Sequence, residues 1–299
     1  MRDSISRVKK SDGTWTSSKL DLAQEIVSHF LSLFMAPSSP SSSDLAARSC
    51  FLDVVQPIMD HQQAADFEGC FTEEELLNAL KAMAKGKSPG WDGLTVEFYL
   101  RFWEQFKDIL LSMINHVWCN QSFPSSWKHG LIKLLPKRSL AEKFDDWRPV
   151  TMMPVIYKLV SKMVVHRIKD VLQQGLHPRQ YGFIPRRQIH DNIATVLFAI
   201  EYAKYTQQDV LMLQVDIAKA FDTIQWDFIS QVMSKLGFGP KMRNIVYLFY
   251  LNAYAQCLLA GEATLPWNLG RSVRQGCPLS AFLYAIATHP LLLYLETSS

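Results

Sequence analysis

The stretch VLMLQVDIAKAFDTIQWD, Val210 to Asp227, carries the reading on which the fold turns. Val210 to Val215 is a short apolar, β-compatible run that ends in Asp216, and Asp222 follows within the same stretch. A carboxylate at the exposed end of a rigid strand is suited to hold Mg²⁺, a hard cation that takes oxygen ligands. A strand-terminal Asp also caps the following helix in many folds, so the run alone leaves both readings open. Further on, residues 255 to 273 read as two short strands around Ala260-Gly261-Glu262.

Upstream of this stretch helical patterns dominate. Thr72 and Glu75 have capping-box spacing, Phe71 and Leu76 are placed as a hydrophobic staple, and Leu76, Leu77, Leu80 and Met83 make one apolar face, which predicts a helix over 73–84. GKSPGWDG, Gly86 to Gly93, forbids continued helix and imposes a turn-rich loop. Phe98, Phe102, Phe106, Ile109, Leu110, Met113 and Val117 share a second helical face. Ile156 to Leu172 gives another, and Ile193, Val196, Leu197 and Ile200 a fourth. Leu22, Ile26, Val27, Phe30, Leu31 and Phe34 place a helical appendage in residues 1–35, set off by the Pro/Ser run APSSPSSSD at 36–44, the composition of a linker. The fold class expected is α+β, helix-rich with a small antiparallel sheet in the last third.

Composition narrows the function. In 299 residues, 31 Lys+Arg stand against 28 Asp+Glu, a net +3 too small for a general nucleic-acid coat. The charge is unevenly placed, however. Residues 128–187 hold 13 basic and 4 acidic side chains, net +9, and the remaining 18 basic and 24 acidic sum to −6. One region is therefore expected to face a polyanion, unless these are solvated helix faces. Five cysteines without C-x-x-C pairing and eight histidines without H-E-x-x-H spacing offer neither a zinc site nor a disulfide framework. No run is apolar enough for a membrane span, and MRDSISRVKK is not followed by the apolar core of a secretory signal, so an intracellular protein is expected.

Two further clusters carry chemistry. In RQGCPLS, Arg274 to Ser280, Gly276 lets the backbone approach a partner, Gln275 offers donor and acceptor, and Pro278 suits the opening of a helix. LIKLLPK (Leu131 to Lys137), WRPV (Trp147 to Val150) and QYGFIPRRQIHDNI (Gln180 to Ile193) fix Lys and Arg on apolar-anchored segments, as gripping a triphosphate or phosphodiester chain requires. Each such residue could also be a snorkelling surface side chain.

Taken in order, KSPGWDG, LLPK, WRPV, YK with KMVVHRI, QYGFIPRRQIHDNI, VDIAKAFDTIQWDF, LGF and RQGCPLS resemble the successive blocks of the reverse transcriptase domain of LINE-type (non-LTR) retrotransposons, chiefly the plant-like branch, from about Phe71 to Leu293. The resemblance implies a right-hand polymerase arrangement, with a fingers-like helical and basic region over 45–207 and a partial palm over 208–299. It also implies RNA-templated DNA synthesis primed by nicked target DNA, with dNTPs as substrate, Mg²⁺ as cofactor and a nuclear or cytoplasmic location.

By the same resemblance Asp216 is a metal-binding aspartate, with the Ile217 carbonyl as second contact. Phe221 is the aromatic gate under the deoxyribose. Lys137 and Arg148 grip the triphosphate, and Gln275 and Gly276 line the sugar and base-pair face. Lys87, Gly90 and Arg187 are template-side elements, while Asp222 and Pro278 give structural support. The family commonly has Gly where this chain has Arg186. Its second metal-binding set, a Y/F-A-D-D hairpin downstream of RQGCPLS, has no counterpart in these 299 residues, nor has a thumb. The expectation is an incomplete site without turnover, and an uncovered strand edge at 210–215. A non-catalytic RNA- or DNA-binding module and a group II intron maturase-like reverse transcriptase are the alternative readings.

Overall fold

A computed structural model describes residues 5–36 and 40–297. After a β-bridge between Lys9 and Trp15, the chain forms α1 (Lys19–Phe34), α2 (Ser42–Asp53), α3 (His61–Asp66), α4 (Glu73–Lys81), α5 (Val96–Arg101) and α6 (Trp103–Asn120). Two strands follow, β1 (His129–Pro136) and β2 (Trp147–Met152), then α7 (Val155–Gly175), α8 (Ile189–Thr206), α9 (Trp226–Lys235) and α10 (Pro240–Leu248). The chain ends with β3 (Tyr254–Leu259), β4 (Glu262–Ala263), β5 (Trp267–Asn268) and α11 (Ser280–Thr297).

The helix starts follow the predicted chemistry. Thr72 and Glu75 form a reciprocal capping box on α4, and Phe71 and Leu76 are both buried beneath it. Ser41 and Asp44 do the same for α2, so the Pro/Ser run is not linker throughout: its last residues nucleate a helix. Residues 37–39 of that expected linker lie outside the described residues. The helix expected through Phe98 to Val117 is two, α5 and α6, meeting at Phe102, and the buried side of α6 is Leu110, Ile114, Val117 and Trp118. Phe102, Ile109 and Met113, expected on the core face, are exposed: the buried face of α6 is rotated from the expected one toward Ile114 and Trp118.

The sheet differs from expectation in three ways. It is mixed, ordered β2-β1-β3-β4 with β5 also on β3; β1 runs antiparallel to β2 but parallel to β3. Its central strand comes early, at LIKLLP, where Ile132 and Leu134 point inward and Lys133 outward, a period of two that marks a strand. Third, Val210 to Val215 forms no strand: Val210, Leu211, Met212, Leu213 and Val215 are all exposed, since no described strand pairs with them. The turn at Ala260-Gly261 joins β3 to β4 where two short strands were predicted.

Two cores position the site. The larger gathers α4, α6, α7, α9, α10 and the start of α11 around Leu76, Trp118, Tyr157, Leu159, Met163 and Phe249. The smaller places α1 on the sheet, with Leu22, Ile26, Phe30 and Phe34 against Ile132, Leu134, Cys257 and Trp267. The first helix is thus no appendage. Phe30 stacks on Trp267 at 5.7 Å, and the α1 end is tied down by Gly270 N–H donating to Phe34 O and Arg271 Nε donating to Leu33 O. No helix among the described residues is long and apolar enough to cross a membrane.

Candidate functional site

The β1–β2 hairpin presents Lys137 and Arg148 at its turn end, and that turn is held rigidly. Asp146 accepts from the backbone N–H groups of Glu142 and Lys143 and pairs with Arg138, while its own carbonyl accepts from Lys137 N–H at 2.7 Å. The Arg138 guanidinium, helped by those N–H groups, lowers the Asp146 carboxyl to about 2. Lys137 Nζ donates to Asp145 O at 2.7 Å, and Lys219 pairs with Asp145 at 3.4 Å.

These residues border a cavity of about 210 Å³ lined by Lys137, Arg148, Phe221, Asp222 and Gln275, five positions drawn from four sequence blocks. Lys219 and Asp145 complete its polar rim. Phe221 stacks on Tyr284 at 5.1 Å and meets Phe183 edge-on at 5.8 Å, so its ring is braced from two sides. Asp222 is buried, and burial pushes its carboxyl upward against the opposing pull of Lys219 and Lys137.

On the far side of RQGCPLS lies a groove of about 610 Å³ bordered by Lys87, Lys133, Lys158, Lys162, Gly276 and Pro278. Gln275 and Gly276 thus serve opposite sides: the first lines the cavity, the second the groove. The backbone is pinned between them, with Thr151 N–H donating to Gln275 O at 3.0 Å. Gly276 has φ 106°, and a Cβ there would stand 2.8 Å from Thr151 O, so no other residue fits without displacing β2. Burial lowers the Lys158 ammonium, and Asp92 opposes that shift.

Other predicted residues behave differently. Gly90 is buried against the Met153–Pro154 backbone, which fixes the loop carrying Lys87 and leaves no surface for a ligand. The Arg187 guanidinium is engaged with the backbone. Its Nη1 donates to His177 O and Gln180 O and its Nη2 to Gln173 O and Leu176 O, at 2.5 to 3.0 Å, so it closes the end of α7 and the loop behind it. Lys128 and Arg167 in the same basic region also bind backbone carbonyls, and part of the +9 is therefore structural. Arg186 has φ 61°, the left-handed region, which gives a physical reason for Gly at that position in the family it resembles.

Asp216 lies outside the cavity, exposed with Ile217 in the unpaired stretch after α8. It stays on the Phe221 side: burial first, and then the Asp216 charge, raise the phenol of Tyr284, the ring stacked on Phe221. Among the described residues no three His, Cys, Asp or Glu side chains converge. These residues by themselves do not fit a two-ion Mg²⁺ site, and no chemical step is drawn through a metal. Sequence reasoning missed His29 and Lys219 in the cavity and Lys158 and Lys162 in the groove, while Lys133 and Trp147 were read only as parts of LIKLLPK and WRPV.

A family model described as reverse transcriptase (RNA-dependent DNA polymerase) matches residues 135–298, which include Lys137, Arg148, Phe221, Asp222 and Gln275 of the cavity and Lys158, Lys162, Gly276 and Pro278 of the groove. The chain belongs to that family. Reverse transcriptases use divalent metal ions and nucleic-acid substrates. Its curated relatives are proteins of non-LTR retrotransposons. It is 34% identical over 242 residues to the transposon TX1 uncharacterized 149 kDa protein of Xenopus laevis, covering 80% of this chain and 18% of that protein. It is 26% identical to the Pol polyprotein of the type-1 retrotransposable element R2 of Popillia japonica, covering 75% and 31%. It is 23% identical to the probable RNA-directed DNA polymerase from transposon X-element of Drosophila melanogaster, covering 94% and 30%. The chain therefore spans less than a third of the length of each of these relatives.

Proposed function

We propose that this chain is the nucleotide- and template-binding part of an RNA-directed DNA polymerase of a non-LTR retrotransposon, acting on element RNA with a DNA primer in the nucleus. The observation that carries the reading is the shared cavity: Lys137, Arg148, Phe221 and Gln275, far apart in sequence, line one space. In this reading Lys137 and Arg148 hold the triphosphate by charge-assisted hydrogen bonds. Phe221, braced by Tyr284, lies under the sugar and excludes a 2′-hydroxyl, and Gln275 meets the sugar edge. The lysines of the groove, Lys87, Lys133, Lys158 and Lys162, follow the template backbone past Gly276, with Pro278 fixing the start of the helix behind it. The β1–β2 hairpin and helices before it act as fingers, and residues 208–299 contribute to a palm. Asp216, with the Ile217 carbonyl, is the metal-facing corner of that palm.

Binding measurements on the purified chain test this. Lys137→Ala with Arg148→Ala is expected to abolish dNTP binding while sparing RNA binding. Lys133→Ala with Lys158→Ala and Lys162→Ala should do the reverse and flatten the dependence of RNA affinity on salt. RNA binding with no dNTP binding in the unmodified chain would favour a non-catalytic binding module instead.

A further inference from the structure

The cavity has a wall that the nucleotide reading does not use. His29, Phe30 and Leu33, all on α1, line it together with Lys137, Arg148, Phe221, Asp222 and Gln275. The helix is anchored independently of any ligand, by Phe30 on Trp267 and by the ties from Gly270 and Arg271 to its last turn. His29 is held flat against Phe144 at 4.3 Å and 21°, and Phe144 begins the tight turn that carries Asp145 and Asp146. The charged groups acting on the imidazole are Lys219 and Asp145, two members of the cavity's polar rim. Across the cavity from that wall, Trp147 on β2, with 7% exposure, has an indole N–H with no acceptor among the described residues. An orphaned buried donor of this kind calls for a water or ligand oxygen.

We infer that His29 is a nucleotide-contacting residue, donating an imidazole N–H to the phosphate chain of the incoming dNTP beside Lys137, Arg148 and Lys219, so that α1 forms the outer wall of the nucleotide site. The inference rests on the nucleotide reading of the cavity given above. A wall built from α1 makes nucleotide binding depend on a segment that precedes the residues matched by the family model, 135–298. The ligand chemistry is that of a polyphosphate. The cavity rim brings three cations together, Lys137, Arg148 and Lys219, and its carboxylates are Asp145, already paired with Lys219, and the largely buried Asp222. A phosphate oxygen entering this rim competes with Asp145 for Lys219 and lies beside the ring fixed on Phe144. Stacking keeps the imidazole in one plane, so its N–H is directed without loss of further side-chain freedom.

The test uses the whole chain with dATP, inorganic triphosphate and deoxyadenosine as separate probes. His29→Ala is expected to weaken dATP and inorganic triphosphate by about tenfold each, the effect of one hydrogen bond to an anion, and to leave deoxyadenosine unchanged. His29→Gln, which keeps a side-chain N–H, should recover most of the affinity. In the unmodified chain the ring signals of His29, followed by NMR, should move on adding inorganic triphosphate. Unchanged dATP affinity in His29→Ala, with Lys137→Ala losing it, overturns the inference and leaves the nucleotide site standing. Equal loss of dATP and deoxyadenosine, with no His29 shift on triphosphate, assigns the ring to packing and also overturns it. Absence of dATP binding by the unmodified chain overturns the nucleotide reading itself, and the inference with it.

Discussion

Helices α7 and α8 are both long and rich in apolar residues, yet α7 buries eleven side chains and α8 buries none. The first, Val155–Gly175, runs through the middle of the larger core and touches neighbours on nearly every side. The second leaves Ile189, Ile193, Leu197, Phe198 and Tyr205 exposed, and the apolar stretch at 210–215 continues that surface up to Asp216. Both were read from sequence by the same periodicity. A pattern of apolar residues states that a face exists, and what covers it is decided elsewhere in the chain. The sites divide along the same line. Cavity and groove are built mostly on packed elements, α1, β1, β2, the start of α7 and the turn before α11, and the cavity takes in Lys219 to Asp222, whereas Asp216, three residues before Lys219, stands on the exposed side.

The sharpest way to break this contrast is a matched pair of truncations. Leu159 is fully buried in α7, so Leu159→Ala removes transfer energy and leaves a cavity, at a cost of about 2–5 kcal/mol. Leu197, 57% exposed in α8, should give a change within about 0.5 kcal/mol on the same substitution. Urea unfolding of the two variants measures both. Comparable destabilisation would mean that α8 is covered in solution.

Arg187 sits at the junction of the two regions, and its role is the next test. Its guanidinium satisfies four carbonyls at the end of α7 and in the loop leading to α8. Arg187→Ala should cost about 3 kcal/mol by leaving those acceptors without a charged donor, and should expose the 177–187 loop to limited proteolysis. An unchanged melt with a selective loss of RNA affinity would restore the template role that the sequence suggested.

How much was legible beforehand follows from the physics of each element. The α4 start was readable because a capping box and a staple are local, and all four residues lie within a few positions. The cavity was readable because Lys137, Arg148, Phe221 and Gln275 each lie in a short motif with its own turn chemistry. The strand at 210–215 was misread because β-compatible composition does not supply a pairing partner, and β1 was overlooked because its outward residues are lysine and leucine in alternation. The carbonyl contacts of Arg187 were not legible, because a guanidinium suits carbonyl oxygens as well as phosphate oxygens. His29 had no signal at all: it reaches the cavity through the packing of α1 on the sheet, a contact spanning more than a hundred residues of chain.

A smaller effect is expected at Arg186, one residue before that guanidinium. Its φ of 61° carries a Cβ penalty that glycine does not. Arg186→Gly should therefore raise stability by up to about 1 kcal/mol in a thermal melt, with part of the gain offset by the greater freedom of glycine in the unfolded chain. A destabilised variant would show that the exposed arginine makes contacts that outweigh its backbone strain.

Two pH slopes of opposite sign are expected inside one cavity. Burial, with Lys219 adding to it, lowers His29 to about 4, so the unfolded chain binds its proton more readily than the folded one. Stability from this group is complete above its ordinary value near 6.5 and is lost as pH falls toward 4. Burial acts on Asp222 in the other direction, raising its carboxyl, so the folded chain holds that proton more tightly and stability falls as pH rises through the raised value. His29→Gln should flatten the acid side of a stability profile between pH 6.5 and 4. Asp222→Asn should raise the melting temperature slightly at pH 7 and leave it unchanged near pH 3, where the carboxyl is protonated in both states. A loss of stability in Asp222→Asn at pH 7 would mean that the ionised carboxylate, held between Lys137, Lys219 and Gln275, stabilises the cavity more than its burial disfavours it.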